Sequence, residues 1–281
     1  MMHIVTAVED VRAIRWAEPG ATWGLVPTMG ALHEGHLSLV RRARAENDRV
    51  GVSIFVNPAQ FGPTEDLAAY PRTLAHDCEM LAGAGADLVW TPTDTIVYPP
   101  GYQTYVAVEE VTKPLEGAAR PGHFRGVATV VAKLFNVFQP TRAYFGQKDA
   151  QQVIVIKQMA KDLNFNLEVV VCPTVREPDG LAMSSRNAYL NPAERRAAVV
   201  LYRALTAASA HWADGERDGA ALRGEMARII EAEPLARLVY VSAANPETLV
   251  EIEGRADGAA LLSMAVVIGA TRLIDNVILA P

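Results

Sequence analysis

The sequence predicts an α/β fold in which a Rossmann-like, doubly wound parallel sheet is followed by a smaller C-terminal α+β domain. Three observations lead to this prediction. Strand-like and helix-like segments alternate over the first two-thirds of the chain. This alternation ends after about residue 175, and three strand-like runs later follow one another. Alternation of strands and helices favours a parallel sheet that binds ligands at the carboxyl ends of its strands. A chain of 281 residues is long enough for one large domain or two ordinary ones.

The strands predicted in the first part are short and rich in β-branched or aromatic residues, as buried parallel strands usually are. The segments between them are amphipathic or apolar, which predicts helices. Strands are predicted at 22–27, 50–56, 87–91, 142–146 and 166–171, and helices at 36–45, 66–82, 127–138 and 150–163. A stretch rich in proline and glycine at 92–101 predicts a loop. The segment 127–138 is apolar on nearly every side, which burial within the chain and contact with a second subunit explain equally well.

The last third of the chain predicts a small antiparallel sheet covered by helices. A helix at 192–208 would begin with Asn191 as its N-cap and Pro192 at its first position. Further predictions are a helix at 218–231 and strands at 238–243, 259–268 and 271–279, the last two separated by a short glycine-containing turn. The predicted domains are therefore residues 1–174 and residues 175–281.

Composition excludes several classes of protein. The net charge of −6 argues against broad nonspecific binding of nucleic acid, although it allows a local cationic pocket. The two cysteines, Cys78 and Cys172, form neither a disulfide framework nor a CxxC motif and are expected to be buried, reduced thiols. No signal peptide and no apolar run of membrane-spanning length is evident, so a cytoplasmic protein without a membrane partner is predicted.

The run LVPTMGALHEGH at 25–36 is the first candidate site. A strand end, a glycine turn and a helix start coincide there, so backbone N–H groups and the imidazoles of His33 and His36 can face one anion. This pattern is typical of a nucleotide phosphate site. Either histidine alone could instead cap the helix or pack against it. A zinc site is disfavoured because the histidines lack the spacing of HExxH.

Three further polar segments follow predicted strands or lie in loops. Lys148 is a compact cation suited to phosphate oxygens, while Asp149 is either a ligand or an N-cap. The hydroxyls of Ser184 and Ser185 with the Arg186 guanidinium can clamp a triphosphate. Amides suit a small hydroxy acid whose hydroxyl and carboxylate both need partners, although each amide alone could be a surface or capping group. The candidate amides are Asn57, Gln60, Gln151 and Gln152.

These segments together resemble the pantothenate synthetase (pantoate–β-alanine ligase) family along essentially the whole chain. The motifs that carry the resemblance are VPTMG at 26–30 with HEGH at 33–36, SIFVNP at 53–58 with Gln60-Phe61, YPRT at 70–73, RPGHFRG at 120–126, the stretch 146–152, DGLAMSSRN at 179–187 and LIDN at 273–276. The family belongs to the nucleotidylyltransferases that share a HIGH-type signature with class I aminoacyl-tRNA synthetases. HEGH occupies the place of that signature, and residues 183–186 resemble the KMSKS loop.

The resemblance implies that pantoate attacks ATP to form pantoyl adenylate and pyrophosphate, after which β-alanine attacks the adenylate and releases AMP and pantothenate. It makes His36 the proton donor and His33 a phosphate partner, with Lys148, Ser184, Ser185 and Arg186 completing the catalytic set. The ATP-binding residues it implies are Met29, Gly30, Ala31, Leu32, His33, Glu34, Gly35, His36, Gly146, Gln147, Lys148, Asp149, Val175, Met183, Ser184, Ser185 and Arg186. Gln60, Gln152 and Asn57 would bind substrate.

The resemblance also implies Mg²⁺ bound with ATP, a homodimer and a C-terminal lid domain. Asp77 occupies the position of a family carboxylate near the metal ion, and an exposed helix aspartate is the alternative. Many family members have Gly-Glu-Lys-Asp, whereas this chain has Gln147 before Lys148. The other functions considered are another small-molecule nucleotidylyltransferase, which would not need both Gln60 and Gln152, and a noncatalytic nucleotide-binding protein, which would not need paired histidines.

Overall fold

The computed structural model describes residues 2–63 and 65–281. They form two compact units that are each discontinuous in sequence. Unit 1 comprises the described residues up to Lys113 together with Gly117–Gly146 and Gln152–Pro173, and unit 2 comprises Pro114–Glu116, Gln147–Gln151 and Thr174–Pro281. The main division thus falls between Pro173 and Thr174, but a single boundary near residue 174 does not describe the two short segments of unit 2 that precede it.

Unit 1 is built on a parallel sheet of six strands, as the alternating pattern predicts. The strands are β1 (His3–Val5), β2 (Trp23–Thr28), β3 (Arg49–Ile54), β4 (Leu88–Trp90), β5 (Arg142–Gly146) and β6 (Glu168–Cys172). Their order across the sheet is β1-β4-β3-β2-β5-β6, and every neighbouring pair is parallel. Strands β3 and β4 follow on one side of β2, whereas β5 and β6 lie on its other side. The strand order therefore reverses between β2 and β5. Open α/β sheets bind ligands at such a reversal, outside the carboxyl ends of the strands.

Helices connect and cover these strands. In chain order they are α1 (Val8–Trp16), α2 (Glu34–Glu46), α3 (Leu74–Ala84), α4 (Asp94–Val97), α5 (Glu116–Ala119), α6 (His123–Phe138) and α7 (Ala150–Asp162), with short 3-10 turns at Pro58–Gln60 and Gln147–Asp149. Sequence patterns missed β1, α1 and the short helix α5.

Two of the predicted helices and one predicted loop need correction. The helix predicted at 66–82 begins only at Leu74, because Pro71 lacks the N–H that a helix interior needs and restricts the residue before it. The loop predicted at 92–101 contains the short helix α4. The helix predicted at 127–138 begins four residues earlier, at His123, directly after Gly122 in a left-handed conformation (φ 86°).

Helix α6 lies in the core of unit 1. Twelve of its 16 residues are buried, and Phe135 and Phe138 are among the largest fully buried side chains of the chain. They pack with Trp23, Trp90 and residues of α7 in one hydrophobic cluster. Burial within one chain therefore accounts for the apolar composition of this helix, and the composition gives no support to a subunit contact.

Unit 2 contains the antiparallel sheet that the last third of the sequence predicts. Strands β7 (Ala236–Ala244), β8 (Ala260–Ile268) and β9 (Thr271–Leu279) pair in that order. The helix predicted at 192–208 is instead two helices, α8 (Pro192–Ala197) and α9 (Val200–Ala213), followed by α10 (Gly219–Glu231). Asn191 caps α8 in a capping box with Glu194, and Pro192 occupies the first turn, as predicted.

The segment 114–116 is attached to unit 2 by a buried carboxylate. Glu116 accepts hydrogen bonds from both terminal nitrogens of Arg272, each at 2.6 Å, and from the Tyr240 hydroxyl at 3.0 Å. Its backbone N–H donates to Gln151 Oε1, and Gln151 Nε2 donates to the carbonyl of Pro114. A buried carboxylate of this kind is tolerated because its charge is paired and its oxygens are hydrogen-bonded. Gln151 therefore has a structural role in unit 2, whereas the sequence made its amide a candidate for binding a small hydroxy acid.

Both cysteines are free thiols, and Cys172 is buried while Cys78 is half-buried. Burial raises the pKa of both thiols, which keeps them protonated and unreactive. Within the described part of the chain, none of the helices combines the length and apolar character needed to cross a membrane.

Candidate functional site

The turn between β2 and α2 has the strand–turn–helix geometry that the sequence predicts. Gly30 and Ala31 both have left-handed backbone conformations, with φ of 83° and 48°. Glycine adopts this conformation without a steric penalty, whereas Ala31 requires support from its surroundings. The Thr28 hydroxyl, at the end of β2, donates to the Ser53 carbonyl at 2.7 Å and accepts from the Gly30 N–H at 3.3 Å. The Thr28 hydroxyl therefore links the turn to the ends of β2 and β3 by hydrogen bonds.

The two histidines of this turn cap helix α2 together. His33 is the N-cap, and its Nδ1 accepts from the Gly35 N–H at 3.1 Å, while His36 Nδ1 accepts from the His33 N–H at 3.3 Å. The ring centroids are 4.1 Å apart. A ring whose Nδ1 accepts a hydrogen bond carries its proton on Nε2. Capping and phosphate binding are therefore compatible, because each function uses a different nitrogen of the same ring.

Asp77 anchors the same turn from helix α3. Its side chain is buried, with 1% of its surface exposed. Oδ2 accepts from the Ala31 N–H at 3.0 Å, and Oδ1 accepts from the Leu32 N–H at 2.9 Å and the Thr73 hydroxyl at 3.1 Å. The expectation of an exposed helix aspartate is wrong, and the carboxylate supports the strained backbone at Ala31.

Hydrogen bonds occupy the carboxylate of Asp77 on both sides. Both of its oxygens are committed to protein donors. Across residues 2–63 and 65–281, no group of three or more histidine, cysteine, aspartate or glutamate side chains is arranged to hold a metal ion. The structure shows Asp77 as an anchor of the turn, and its metal contact stays a prediction from the resemblance.

Gln60 lies beside the turn, in the 3-10 segment that follows β3. Its Nε2 is 2.9 Å from Met29 Sδ, and its Oε1 accepts from Asn57 Nδ2 at 3.1 Å. Because β2 and β3 are adjacent and parallel, with Thr28 opposite Ile54, the residues after the two strands meet at one edge of the sheet. Met29 and Gln60 are thereby brought into contact.

Asn57 is buried, with 1% of its surface exposed, and its amide is fully engaged. Besides Gln60, Asn57 Nδ2 donates to the Gly126 carbonyl at 3.2 Å, and its Oδ1 accepts from the Ala59 N–H at 3.2 Å and the Tyr98 hydroxyl at 2.8 Å. Burial raises the pKa of Tyr98, so its hydroxyl remains a neutral donor. This geometry gives Asn57 a role in positioning Gln60, and its direct contact with substrate stays a prediction.

The candidate phosphate-binding lysine belongs to unit 2. Residues Gln147–Asp149 form a 3-10 turn, and Asn276 of β9 holds it in place. Asn276 Nδ2 donates to the carbonyls of Gln147 at 3.0 Å and Lys148 at 2.8 Å, while its Oδ1 accepts from Gln147 Nε2 at 3.0 Å. Gln147, the departure from the family pattern, thus takes part in fixing the backbone on which Lys148 lies. The Lys148 ammonium is 3.6 Å from Asp149.

The loop with the two serines also belongs to unit 2. Met183 donates its N–H at 3.0 Å to the carbonyl of Val175, another predicted ATP-binding residue, which lies beside the start of the loop. A 3-10 turn, Ser185–Tyr189, follows, with Ser184 as its N-cap accepting from the Arg186 N–H at 3.3 Å. Arg176, next to Val175, forms a two-pronged ion pair with the buried Asp275 at 2.7 and 3.0 Å. Asp275 and Asn276, which are neighbours on β9, therefore hold the segment next to Val175 and the turn that carries Lys148.

The predicted residues thus form two clusters. Unit 1 joins residues 29–36 to Gln60, and it contains Gly146 at the end of β5 and Gln152 in the first turn of α7. Unit 2 contains residues 147–149, Val175 and residues 183–186. Sequence reasoning missed the supporting roles of Thr73, Tyr98, Asp275 and Asn276. Three of these lie in motifs matched to the family, YPRT and LIDN, and that match was the only signal available for them.

Comparison with known proteins agrees with the motif-based resemblance. A family model described as pantoate-beta-alanine ligase matches residues 3–278. The pantothenate synthetase of Roseiflexus sp. (strain RS-1) is 61% identical over 278 residues, covering 99% of this chain and 99% of that protein. That of Herpetosiphon aurantiacus is 58% identical over 280 residues, covering 99% of this chain and all (100%) of that protein.

Solved structures give the same result. The crystal structure of pantothenate synthetase from Thermus thermophilus has a TM-score of 0.95 with 48% identity and covers 100% of both chains. The pantoate-beta-alanine ligase from Francisella tularensis, complexed with beta-gamma ATP and beta-alanine, has a TM-score of 0.81 with 36% identity and covers 99% of this chain and 97% of that one. The predicted family resemblance and the predicted fold class are therefore confirmed.

Proposed function

The chain belongs to the pantoate–β-alanine ligase family, and we propose on that basis that it joins pantoate to β-alanine at the expense of ATP. The products are pantothenate, AMP and pyrophosphate, and pantoyl adenylate is the intermediate. The observation that supports the proposal is the contact of Gln60 with Met29, because it joins a carboxamide, which can bind a hydroxy acid, to the turn that carries the His33 and His36 rings. The Francisella tularensis relative is described as complexed with beta-gamma ATP and beta-alanine, which correspond to two of the three substrates proposed here.

In the first step, a carboxylate oxygen of pantoate attacks the α-phosphorus of ATP. The bond from that phosphorus to the bridging oxygen breaks, and pyrophosphate leaves with the electron pair. Both reactants are anions, so catalysis consists of positioning and charge stabilisation and needs no protein nucleophile. We assign charge stabilisation to the Nε2–H groups of His33 and His36, to Lys148, and to the loop of Ser184, Ser185 and Arg186.

In the second step, the neutral amine of β-alanine attacks the acyl carbon of the adenylate. The acyl–phosphate bond breaks, AMP leaves, and the amine loses a proton as the amide forms. We assign pantoate to Gln60 and Gln152 and place β-alanine near Gln60. A carboxamide both donates and accepts hydrogen bonds, as the hydroxyl and carboxylate of pantoate require.

Mg²⁺ enters this proposal as part of the MgATP substrate. It prefers phosphate oxygens and several waters to a cage made only of protein ligands. This preference is compatible with a chain whose described residues contain no cluster of three metal-ligating side chains.

The remaining assignments rest on the family resemblance and stay predictions. They are a homodimer, small-molecule partners and a lid role for residues 175–281. Two further predictions, a cytoplasmic location and the absence of nucleic-acid partners, rest on the sequence pattern and the net charge. Sedimentation or light scattering would measure the oligomeric state.

The decisive test of the function is an incubation with ATP, pantoate and β-alanine. We expect AMP and pantothenate in equal amounts, and pyrophosphate release from ATP and pantoate alone. AMP formation without incorporation of β-alanine would instead indicate another nucleotidylyltransferase. Nucleotide binding without turnover would indicate a noncatalytic protein.

His36→Asn should separate the two uses of this ring. The asparagine Oδ1 can replace Nδ1 as the acceptor for the His33 N–H, but no donor remains at the position of Nε2. We expect pyrophosphate release to fall by about 100-fold, the usual effect of removing one oriented donor, with a melting temperature close to wild type. His76→Asn, at an exposed histidine of α3, is the control. Near-normal pyrophosphate release in His36→Asn would rule out the assigned role.

A further inference from the structure

The motif RPGHFRG at 120–126 matches the family, but none of the roles described above uses its side chains. It leads into α6, and that helix packs directly against the turn Pro58–Gln60 that carries Gln60. At Gly126 the approach is so close that an added Cβ would lie 2.1 Å from the Ala59 carbonyl oxygen. Only glycine fits there without displacing the turn. The motif and the substrate-binding turn are therefore built as one structure.

His123 connects the two by a hydrogen bond to the main chain of Gln60. Its Nδ1 is 2.8 Å from the Gln60 carbonyl oxygen, and its Nε2 is 3.2 Å from a terminal nitrogen of Arg120. A carbonyl oxygen only accepts, so Nδ1 must carry the proton. A guanidinium only donates, so Nε2 must accept. The two contacts together select one neutral tautomer, opposite to that of His33 and His36.

Arg120 is itself held in place by Glu65. Its Nε and one terminal nitrogen bind the two carboxylate oxygens at 2.7 and 2.6 Å, with only 16% and 22% of the two side chains exposed. Burial opposes ionisation of Glu65, but the hydrogen bond and charge of Arg120 outweigh it and lower the pKa of this carboxyl group. The pair is a planar, two-pronged contact, which restricts the orientation of the guanidinium more than a single bond would.

Gln60 is thereby restrained at both ends. Asn57 fixes the oxygen of its side-chain amide, and His123 fixes its backbone carbonyl. Holding Oε1 in this way leaves the rotation of the carboxamide defined before a ligand arrives, which lowers the ordering cost of binding.

We propose that His123, oriented by Arg120 and Glu65, is a positioning residue that presents the Gln60 carboxamide to a small hydroxy acid. This inference rests on the proposed function, in which Gln60 binds pantoate. His123 acts through Gln60 and not as a catalytic residue.

Two amide variants of His123 test the proposal in the full-length protein. In His123→Asn, the amide nitrogen can take the place of Nδ1 and still donate to the Gln60 carbonyl. In His123→Gln, the amide nitrogen lies near the place of Nε2 and that bond is lost. We expect His123→Gln to raise KM for pantoate by about tenfold, consistent with loss of one positioning hydrogen bond, with little change in KM for ATP or in melting temperature. His123→Asn should stay within about threefold of wild type.

Gln60→Ala serves as the reference for the substrate assignment. If it raises KM for pantoate while His123→Gln leaves that constant unchanged, the positioning role is overturned and the proposed function stands. Equal impairment of the two His123 variants, or a parallel rise of all three Michaelis constants with a lower melting temperature, also overturns the positioning role. If Gln60→Ala has no effect on pantoate, the assignment of Gln60 fails, and the inference fails with it.

Discussion

Lys148→Ala should reduce kcat/KM for ATP in pyrophosphate release by about 100- to 1,000-fold, the range found for loss of one charge-stabilising group. The ammonium is a compact charge beside which the departing pyrophosphate would develop its negative charge. The fold should be unaffected, because Asn276 holds the backbone carbonyl of Lys148 and the substitution leaves that bond in place. The measurement is coupled detection of pyrophosphate with ATP and pantoate, together with a thermal melt.

Lys161→Ala is a matched control, since Lys161 is an exposed lysine in the last turn of α7. It should keep wild-type rates. Lys148→Met, which preserves the length of the side chain without its charge, should be as impaired as Lys148→Ala. If Lys148→Met retained activity, the side chain would act through packing and the electrostatic role would be excluded.

Asp77→Ala should lower both stability and activity. The buried carboxylate accepts the N–H groups of Ala31 and Leu32, and each buried donor left without an acceptor costs about 1–3 kcal/mol. The left-handed Ala31 would then lose the contact that supports it, so the turn and the histidine caps that follow it should become disordered. We expect a lower midpoint in urea denaturation and a loss of ATP turnover of at least about tenfold, since each 1.4 kcal/mol corresponds to one factor of ten.

Asp77→Asn distinguishes an anchor from a metal ligand. An amide nitrogen in place of one oxygen would face a backbone N–H, so the defect should persist at any Mg²⁺ concentration. Glu79→Gln, at an exposed carboxylate of the same helix, should behave like wild type. Recovery of Asp77→Asn by excess Mg²⁺, with unchanged stability, would support the metal contact predicted from sequence and contradict the anchor.

The fold was predictable where local pattern determines structure. The central strands β2 and β3 are buried on both faces and read as apolar runs, and Asn191 with Pro192 marks the start of α8. The first strand was missed because it has three residues and one of them, Ile4, is largely exposed. The predicted start of the helix at 66–82 is wrong, because Pro71 interrupts a helix before Leu74.

The candidate site was likewise predictable only where local sequence pattern determines the structure. Residues 27–36 were predictable because a strand end, a glycine and a helix start follow one another within one short run. The residues that support the site were not, because their contacts join distant parts of the chain. Asp77 binds Leu32 across 45 positions, His123 binds Gln60 across 63, and Asn276 binds Lys148 across 128. Which strands and helices become neighbours decides such contacts, and one sequence does not reveal it.

Two short segments of unit 2 lie in the sequence between segments of unit 1. Glu116 and the turn that carries Lys148 are encoded within the stretch that otherwise builds unit 1, yet their partners Arg272, Tyr240 and Asn276 lie near the C-terminus. A single recombination event near residue 174 would pair each of these residues with a foreign counterpart. The C-terminal part from residue 174 onward is therefore incomplete without residues 114–116 and 147–151.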